Sequence, residues 1–571
     1  MKLQPQAASV PQAIQAAAER YQSGKLAEAE GLCQEVLRAD PENAHALHLY
    51  GLIVLGLGDA ERALESFEKA VRLNSTDPAL LNNLGQIHRA QGRANEAEIC
   101  FRKALDLKAD YAEAGANLGT LLHTSGRMEQ SAQNYLRLGL ALEMTGQLGE
   151  AAQIYRQALT LEPENPEAHH GLGRTLERLG RLEDAAHSLN AALALKSDST
   201  EVHHDLGNVL FRLGRFEDAE QSYRRALALS PGFPVTTFAL SQLLMLRGDY
   251  RSGLPLYESR FEGSDRGKDP WYRDLTTQLE GIDRWKGERL EGKALLVWTE
   301  QGLGDTLMAM RYLPLLRQRG AERLIVYCEP AFVRLMRAMD SVDQVVSKEN
   351  LLPLGRFERH CPLMSLLLMF DTHLETIPGE VPYARVPVAT GQKWADKLAG
   401  LPRPRVGLVW AGGTLFRSDP LRTRSVSLER LSPVLGIGGV SFVSLQKGKD
   451  ADQLKQSGWK VHDWMDECED FLDTAAVIEQ LDLIICVDTA VAHLAGALGK
   501  PVWMLNRFES EWRWMLERED SPWYPTMRIF RQSRSGDWDD VIARVASALK
   551  KLGGKQGANS WLRRLFVSRS T

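Results

Sequence analysis

Two textures of apolar and polar residues meet in this chain. Up to about residue 260, apolar residues recur at helical spacing, and a longer beat runs through the small residues. Glycines 51, 85 and 119 are 34 residues apart, and so are 139, 173 and 207. Seven residues after each lies another glycine, at 58, 92, 126, 146, 180 and 214. Twelve after comes Ala63, Ala97, Ser131, Ala151, Ala185 or Ala219, and sixteen after comes Phe67, Phe101, Tyr135, Tyr155, Leu189 or Tyr223. From about residue 290 the beat stops and short β-rich runs appear: "ALLVW" (294–298), "LIVYC" (324–328), "RVGLVW" (405–410), "SFVSL" (441–445), "LIICV" (483–487) and "PVWML" (501–505). Helical stretches separate them, which predicts parallel α/β units.

A period of 34 with a turn glycine, Ala and an aromatic is the tetratricopeptide pattern of paired antiparallel helices. The small residues predict close helix contact, the aromatic a filler of the gap to the next pair, and the turn glycine a helix stop. Gly24 with Ala29 marks an earlier unit, and Gly248 with Tyr257 a degenerate last one. Seven to eight units over residues 1–265 are expected. Gly119 and Gly139 are only 20 residues apart. "EQSAQNYLRLGLALEM" should therefore be the second helix of one unit and the first of the next, with a change of superhelical pitch there. Such an array presents a concave wall to extended peptide, and Asn83 and Asn117 occupy equivalent positions on first helices. The array resembles that of O-GlcNAc transferases, in which a ladder of such asparagines clamps peptide backbone; here the later equivalents are Gly171 and Asp205. His169-His170 and His203-His204 also repeat at 34 and read as surface residues copied with the unit.

The α/β half divides at a Pro-containing stretch near 382–405. The expected layout is a helical solenoid (1–265), a linker (266–290), two Rossmann-like halves (291–395 and 396–552) and a basic tail (553–571). Composition changes this picture little. A net charge of −5, with 69 basic against 74 acidic residues, gives no whole-chain attraction to nucleic acid or an anionic membrane. No run approaches a transmembrane segment, and the first 20 residues lack a signal-type apolar core. Six scattered cysteines without a CxxC pair argue against a zinc ribbon or redox motif and suit a reducing, cytoplasmic compartment.

In open parallel sheets, ligands bind where strands end. "TEQGLGDTLMAM" follows the first strand: Gly302 and Gly304 permit close approach of backbone, Gln301 is polar, and Asp305 opens a helix either as an N-cap or as a chemical group. Leu307 breaks the GxGxxG pattern of dinucleotide sites, although Glu329 at the second strand end resembles a ribose-binding acid. In the second half, Gly412 and Gly413 leave amides open beside Arg417, Arg422 and Arg424, and a later strand end presents Gln446 and Lys447. "VDTAVAHLAGALGKP" then places Asp488, Thr489, Ala490 and His493 at a helix start, an anion-favouring position. Together these strand ends predict a phosphate-containing ligand. Asp450-Ala-Asp452 and Asp537-Trp-Asp539 follow no nucleotide-binding strand and read as solvated acids, while Trp512, Trp514, Trp523, Tyr524 and Trp538 read mostly as packing.

These motifs carry a resemblance. "EQGLGDTLMAMRYLPLL" and "VDTAVAHLAGALGKPVW" resemble the first motif and the nucleotide-sugar motif of bacterial heptosyltransferase-type glycosyltransferases, family 9, with the two-Rossmann GT-B fold. "LRGDYRSGLPLYESRF", "WRWML" and "DSPWYPTMRIFRQ" are similar to a bacterial group in which tetratricopeptide repeats precede such a domain, some members of which modify flagellin held by the repeats. The resemblance implies a protein O-glycosyltransferase: inverting, metal-independent, cofactor-free, using a nucleotide sugar on Ser or Thr. It makes Asp305 the general base, and Asp488, Thr489 and His493 the binders of the sugar donor, with Arg424 and Lys447 near its phosphates. Two other readings stay open from the residues: a non-catalytic adaptor with a degenerate nucleotide-binding domain, and a transferase acting on lipid-linked glycans.

Overall fold

The computed structural model describes residues 10–262, 270–349, 354–413 and 423–553. Arg417, Arg422, the basic tail and part of the expected linker lie outside the described residues. The chain forms two compact units, residues 1–231 and 232–571.

The first unit is all-helical, from Val10–Gln22 to Phe216–Leu229 among the described residues. Its helices stop where glycines take positive φ, 73° to 89° at Gly24, Gly58, Gly92, Gly126, Gly146, Gly180 and Gly214, a conformation that costs other L-residues energy. Several starts are capped by side chains: Asn43, Asp59, Asp77, Asn165 and Ser199 each accept from an amide two or three residues on. The aromatic of each unit does not chiefly fill the gap to the next pair, as the spacing suggested. It seats in a notch of its own pair: a Cβ on Gly51, Gly85, Gly119, Gly139 or Gly207 would overlap Phe67, Phe101, Tyr135, Tyr155 or Tyr223. Tyr155 also reaches Gly171 of the following pair. The shortened interval is one continuous helix, Met128–Met144. Its start packs under Gly119, with Ser131 donating to the Gly119 carbonyl at 2.8 Å, and its end carries the Gly139 notch of the next pair. Two helical repeats thus share one helix.

The second unit opens with helices Pro234–Leu246 and Tyr250–Tyr257, a pair that the repeat phasing assigns to the solenoid. Their aromatic face belongs to the α/β unit: Tyr250 is fully buried, accepts from Trp523 Nε1 at 3.2 Å and packs edge-on against Trp512. Two sheets follow. The first contains β1 (Ala294–Trp298), β2 (Arg323–Cys328), β3 (Gln344–Ser347) and β4 (Arg359–Pro362), in the order β3-β2-β1-β4. The second contains β5 (Arg405–Val409), β6 (Ser441–Ser444), β7 (Val461–Asp463), β8 (Leu483–Val487), β9 (Val502–Asn506) and β10 (Met527–Arg531), in the order β10-β9-β8-β5-β6-β7. All pairings between these strands are parallel. Counted from β5, the second order reads 3-2-1-4-5-6 from the β7 edge, the doubly wound arrangement, whose switch point lies between β5 and β8. Both strands are buried along their whole length, as central parallel strands require. No helix among the described residues is long and apolar enough to cross a membrane.

Candidate functional site

The carboxyl ends of β5 and β8 flank the switch point. The chain leaves β5 through Trp410 and Ala411, and Gln446 holds it there. The Gln446 carbonyl oxygen accepts from the amides of Trp410 and Ala411 at 3.1 and 2.9 Å, and its amide nitrogen donates to the carbonyls of Ala411 and Lys447 at 3.1 and 3.0 Å. Every hydrogen-bonding position of that side chain is used, so Gln446, expected as a ligand contact, is a splint for the loop. Gly412 lies beneath Arg424: a Cβ there would come 2.6 Å from Arg424 Nε. Arg424 donates to the Gly413 carbonyl at 3.1 Å, and Gly413 itself is exposed with open space over its Cα. Lys447 turns its ammonium to the Cys468 carbonyl.

At the end of β8, Asp488 is buried and Thr489 is the N-cap of the helix Ala490–Ala497. Thr489 makes no capping bond, and its Oγ1 is buried with no hydrogen-bond partner among the described residues. Leaving such an atom unpaired costs about 1–3 kcal/mol. A hydroxyl donor of this kind beside the first amides of a helix suits an anionic oxygen.

One turn on, His493 meets the first sheet. A Cβ on Gly304 would lie 2.7 Å from His493 Cδ2, so the helix Leu303–Ala309 approaches the helix Ala490–Ala497 as closely as a missing side chain allows. The imidazole is 4% exposed, its Nδ1 is 2.8 Å from the Tyr524 hydroxyl, and its ring centroid is 5.0 Å from that of Trp514. Burial, with a smaller contribution from Arg311, pulls its pKa down to about 3, so it is neutral at physiological pH.

Asp305 is the third residue of the helix Leu303–Ala309, and Gly302 is its N-cap. One carboxylate oxygen accepts from the Gly302 amide at 3.0 Å, and the other is ion-paired with Arg513. The capping role offered by the sequence is thus real, though the position is N3 rather than N-cap. The preceding residue of interest, Glu300, pairs with the buried Arg260 at 2.9 Å, which anchors the β1 exit to the chain segment after Tyr250–Tyr257. Glu329 is occupied by Lys348 at 2.6 Å and by the Thr299 hydroxyl at 2.7 Å.

The structure therefore brings Gly302, Gly304, Asp305 and His493 together, with Thr489 and Ala490 at the start of the same helix as His493. It groups Gly412, Gly413 and Arg424 at the neighbouring strand end and leaves Gln301 half-buried beside Gly302. Arg513, paired with Asp305, and the Tyr524 hydroxyl, bonded to His493, join this group without having been singled out as site residues in the sequence. "WRWML" stands out in the sequence for its tryptophans and as a family motif, and nothing in the spacing ties position 513 to position 305. In the first unit, Asn83 Nδ2 is 2.8 Å from His48 Nε2 and Asn117 Nδ2 donates to Asn82 Oδ1 at 3.0 Å. The two asparagines of the expected ladder are thus bonded to the neighbouring repeat. His170 pairs with Asp205 at 2.7 Å, while His169 and His203 bond the Pro163 and Ser197 carbonyls.

The profile of the tetratricopeptide repeat matches residues 109–168, 136–200, 170–234 and 204–260, and that of the cilia and flagella-associated protein 70 middle TPR-like domain matches 15–137. The profile of glycosyltransferase family 9 (heptosyltransferase) matches residues 470–535, the segment that holds Thr489, His493, Arg513 and Tyr524. Protein FlbA of Caulobacter vibrioides is 31% identical over 349 residues, which are 56% of this chain and 56% of FlbA. A protein of Hordeum vulgare named as a probable UDP-N-acetylglucosamine--peptide N-acetylglucosaminyltransferase, SPINDLY, is 26% identical over 148 residues, 26% of this chain and 14% of SPINDLY. This chain thus spans about half, or much less, of the relatives it matches. The crystal structure of MamA is 23% identical with a TM-score of 0.18, covering 32% of this chain and 94% of MamA, a score too low to add to the fold described above. The chain joins tetratricopeptide repeats to a glycosyltransferase family 9 segment, which supports a glycosyltransferase.

Proposed function

We propose that the protein is an inverting, metal-independent protein O-glycosyltransferase of GT-B architecture. The observation that carries this reading is the buried, unpaired Thr489 hydroxyl at the head of a helix beside the switch point of a doubly wound sheet, inside the family 9 segment. A nucleotide sugar would set its phosphates against the Ala490–Ala497 amides, Thr489 and Arg424, with Gly412 and Gly413 giving backbone access. Asp305 would take the proton of the acceptor hydroxyl as that oxygen attacks the anomeric carbon, and the carbon–phosphate oxygen bond would break with its electron pair leaving on phosphate. The helix dipole and Arg424 compensate that charge, which is why no metal is invoked. Asp488 and His493 would shape the pocket rather than react, His493 being neutral and bonded to Tyr524.

The acceptor would be Ser or Thr of a protein held by the repeats, flagellin being the first to try; the peptide-acceptor name of SPINDLY favours a protein over a lipid-linked glycan. The compartment would be the cytoplasm, in keeping with six unpaired, buried cysteines. The test is incubation of the full-length protein with recombinant flagellin and, in turn, a nucleotide-activated heptose, N-acetylhexosamine and nonulosonic acid, read by intact mass. One sugar mass added by wild type and not by Asp305→Ala supports the reading. Mass addition unaffected by Asp305→Ala, or no addition with any pair, refutes it.

A further inference from the structure

We infer that Arg513 is the positioning residue of the proposed reaction: it holds the Asp305 carboxylate in the orientation in which it takes the acceptor's proton. The inference rests on the transferase reading above and adds a residue to it.

The geometry is specific. Arg513 and Asp305 are 208 positions apart in the chain, one in the loop after β9 and the other at the exit of β1. Arg513 is buried and Asp305 is partly so, with side chains 9% and 13% exposed. A positioning group must itself be fixed, and Arg513 is. One terminal nitrogen pairs with Glu511, the other with Asp305, and the guanidinium lies over the Trp512 ring with its carbon 4.6 Å from the centroid. Trp512 is in turn packed edge-on against Trp523, 5.8 Å between centroids. Only a planar fork serves two carboxylates in this way; a lysine ammonium would not reproduce it. Arg513 Nε, by contrast, is buried without a partner, so the guanidinium holds one donor in reserve.

In the free protein the Arg513 guanidinium is shared by the Asp305 and Glu511 carboxylates. In the reaction, the acceptor oxygen bonds to the anomeric carbon, its proton passes to Asp305, and the anomeric carbon–oxygen bond breaks with its electron pair remaining on phosphate. A carboxylate already fixed by Arg513 meets that proton without having to be reoriented as the acceptor oxygen attacks. The gain is realised in the transition state and belongs in kcat rather than in substrate affinity.

The test is steady-state transfer by full-length wild type, Arg513→Gln, Arg513→Lys, Asp305→Asn and the Asp305→Asn/Arg513→Gln double variant, with the nucleotide sugar and acceptor found by intact mass. Arg513→Gln should lower kcat by about 100-fold and leave the KM for the nucleotide sugar within about 2-fold. Arg513→Lys should recover part of that loss. In the Asp305→Asn background, Arg513→Gln should cost nothing further, because its effect runs through Asp305. Unchanged kcat in Arg513→Gln, a rise in KM alone, or a further loss in the Asp305→Asn background would overturn the role. If Arg513→Gln does not fold, Arg513→Lys decides the matter: kcat below wild type at unchanged KM supports the role, and wild-type kcat overturns it. A wild type that transfers no sugar overturns the transferase reading and this role with it; a transferring wild type with any of the contrary variant results overturns this role alone.

Discussion

Gly304→Ala is the sharpest probe of how the two sheets meet. The added methyl would sit 2.7 Å from His493 Cδ2 and 3.0 Å from Nε2. Carbon atoms in contact settle near 3.5–4.0 Å, so the overlap is about 1 Å. The imidazole has no easy retreat, since Tyr524 bonds one edge of it and Trp514 lies against its face. Overpacking a fixed site costs about 1–3 kcal/mol. Against that, Ala in a helix gains up to about 1 kcal/mol over Gly, and less at the second helical position. The net expectation is a loss of about 1–2 kcal/mol. All thirteen tryptophans of the chain lie between residues 271 and 561, none in the helical unit. Tryptophan fluorescence in urea therefore follows the α/β unit by itself. With a slope of about 3 kcal/mol/M, the midpoint should fall by roughly 0.3–0.7 M. Gly149→Ala is the matched control: Gly149 is also the second residue of its helix, Leu148–Leu161, with nothing within 4 Å of the new methyl. It should raise the midpoint of the helical unit, followed by ellipticity at 222 nm. A Gly304→Ala midpoint that rises as the control does would show that the two helices do not touch through this glycine.

Two further perturbations have signs fixed by the structure. Thr489→Val removes a buried, unpaired hydroxyl; stability should be unchanged or improve, while binding of the nucleotide released from the active sugar donor should weaken about 2- to 10-fold by calorimetry, and an unaltered Kd would deny Thr489 a ligand role. His493, lowered to about 3 by burial first and Arg311 second, binds no proton in the folded protein at pH 5, whereas the unfolded chain takes one up below about 6.5. Stability is therefore lost as pH falls from about 6.5 towards 3, and His493→Gln should remove up to about 1.4 kcal/mol per pH unit of that slope. Fluorescence-monitored urea midpoints at pH 6.5 and 5.0 give the slope, and equal slopes in the two proteins would contradict a buried neutral imidazole.

The solenoid was legible because a period of 34 is repeated, and repetition averages out local ambiguity. Gly248 and Tyr257 keep the phase and the repeat profile runs to residue 260, but the compact unit that holds this last pair begins at Gly232, where Tyr250 packs against the tryptophans at 512 and 523, a contact the period does not announce. The central strands, β1, β2, β5, β6, β8 and β9, announced themselves as apolar runs since both faces are covered. The strands that escaped notice are short or lie at sheet edges: β3 and β7 are edge strands of four and three residues, β4 is "RHCP", and β10, an edge strand, is "MRIFR", its apolar residues broken by arginines.

The site divides along a similar line. Gly304, Asp305, Thr489 and His493 lie in the segments that directly follow β1 and β8, so each could be singled out as a candidate from its neighbours in sequence. Arg513 could not, because it lies in an irregular loop and pairs with a residue 208 positions away. Gln446 erred in the opposite direction. A polar residue at a strand exit invites a ligand reading, but a side-chain amide can saturate four hydrogen bonds with backbone, and here it does. Thr489 is the contrast: it stands at the same rim, yet its hydroxyl is buried and unpaired. The polar groups at a strand end are thus separated into scaffold and site by whether their bonds are already spent, and Thr489→Val set beside Gln446→Ala asks for that difference directly. The first should impair nucleotide binding without loss of stability. The second strands the amides of Trp410 and Ala411, and should lower the fluorescence-monitored stability by about 1–3 kcal/mol.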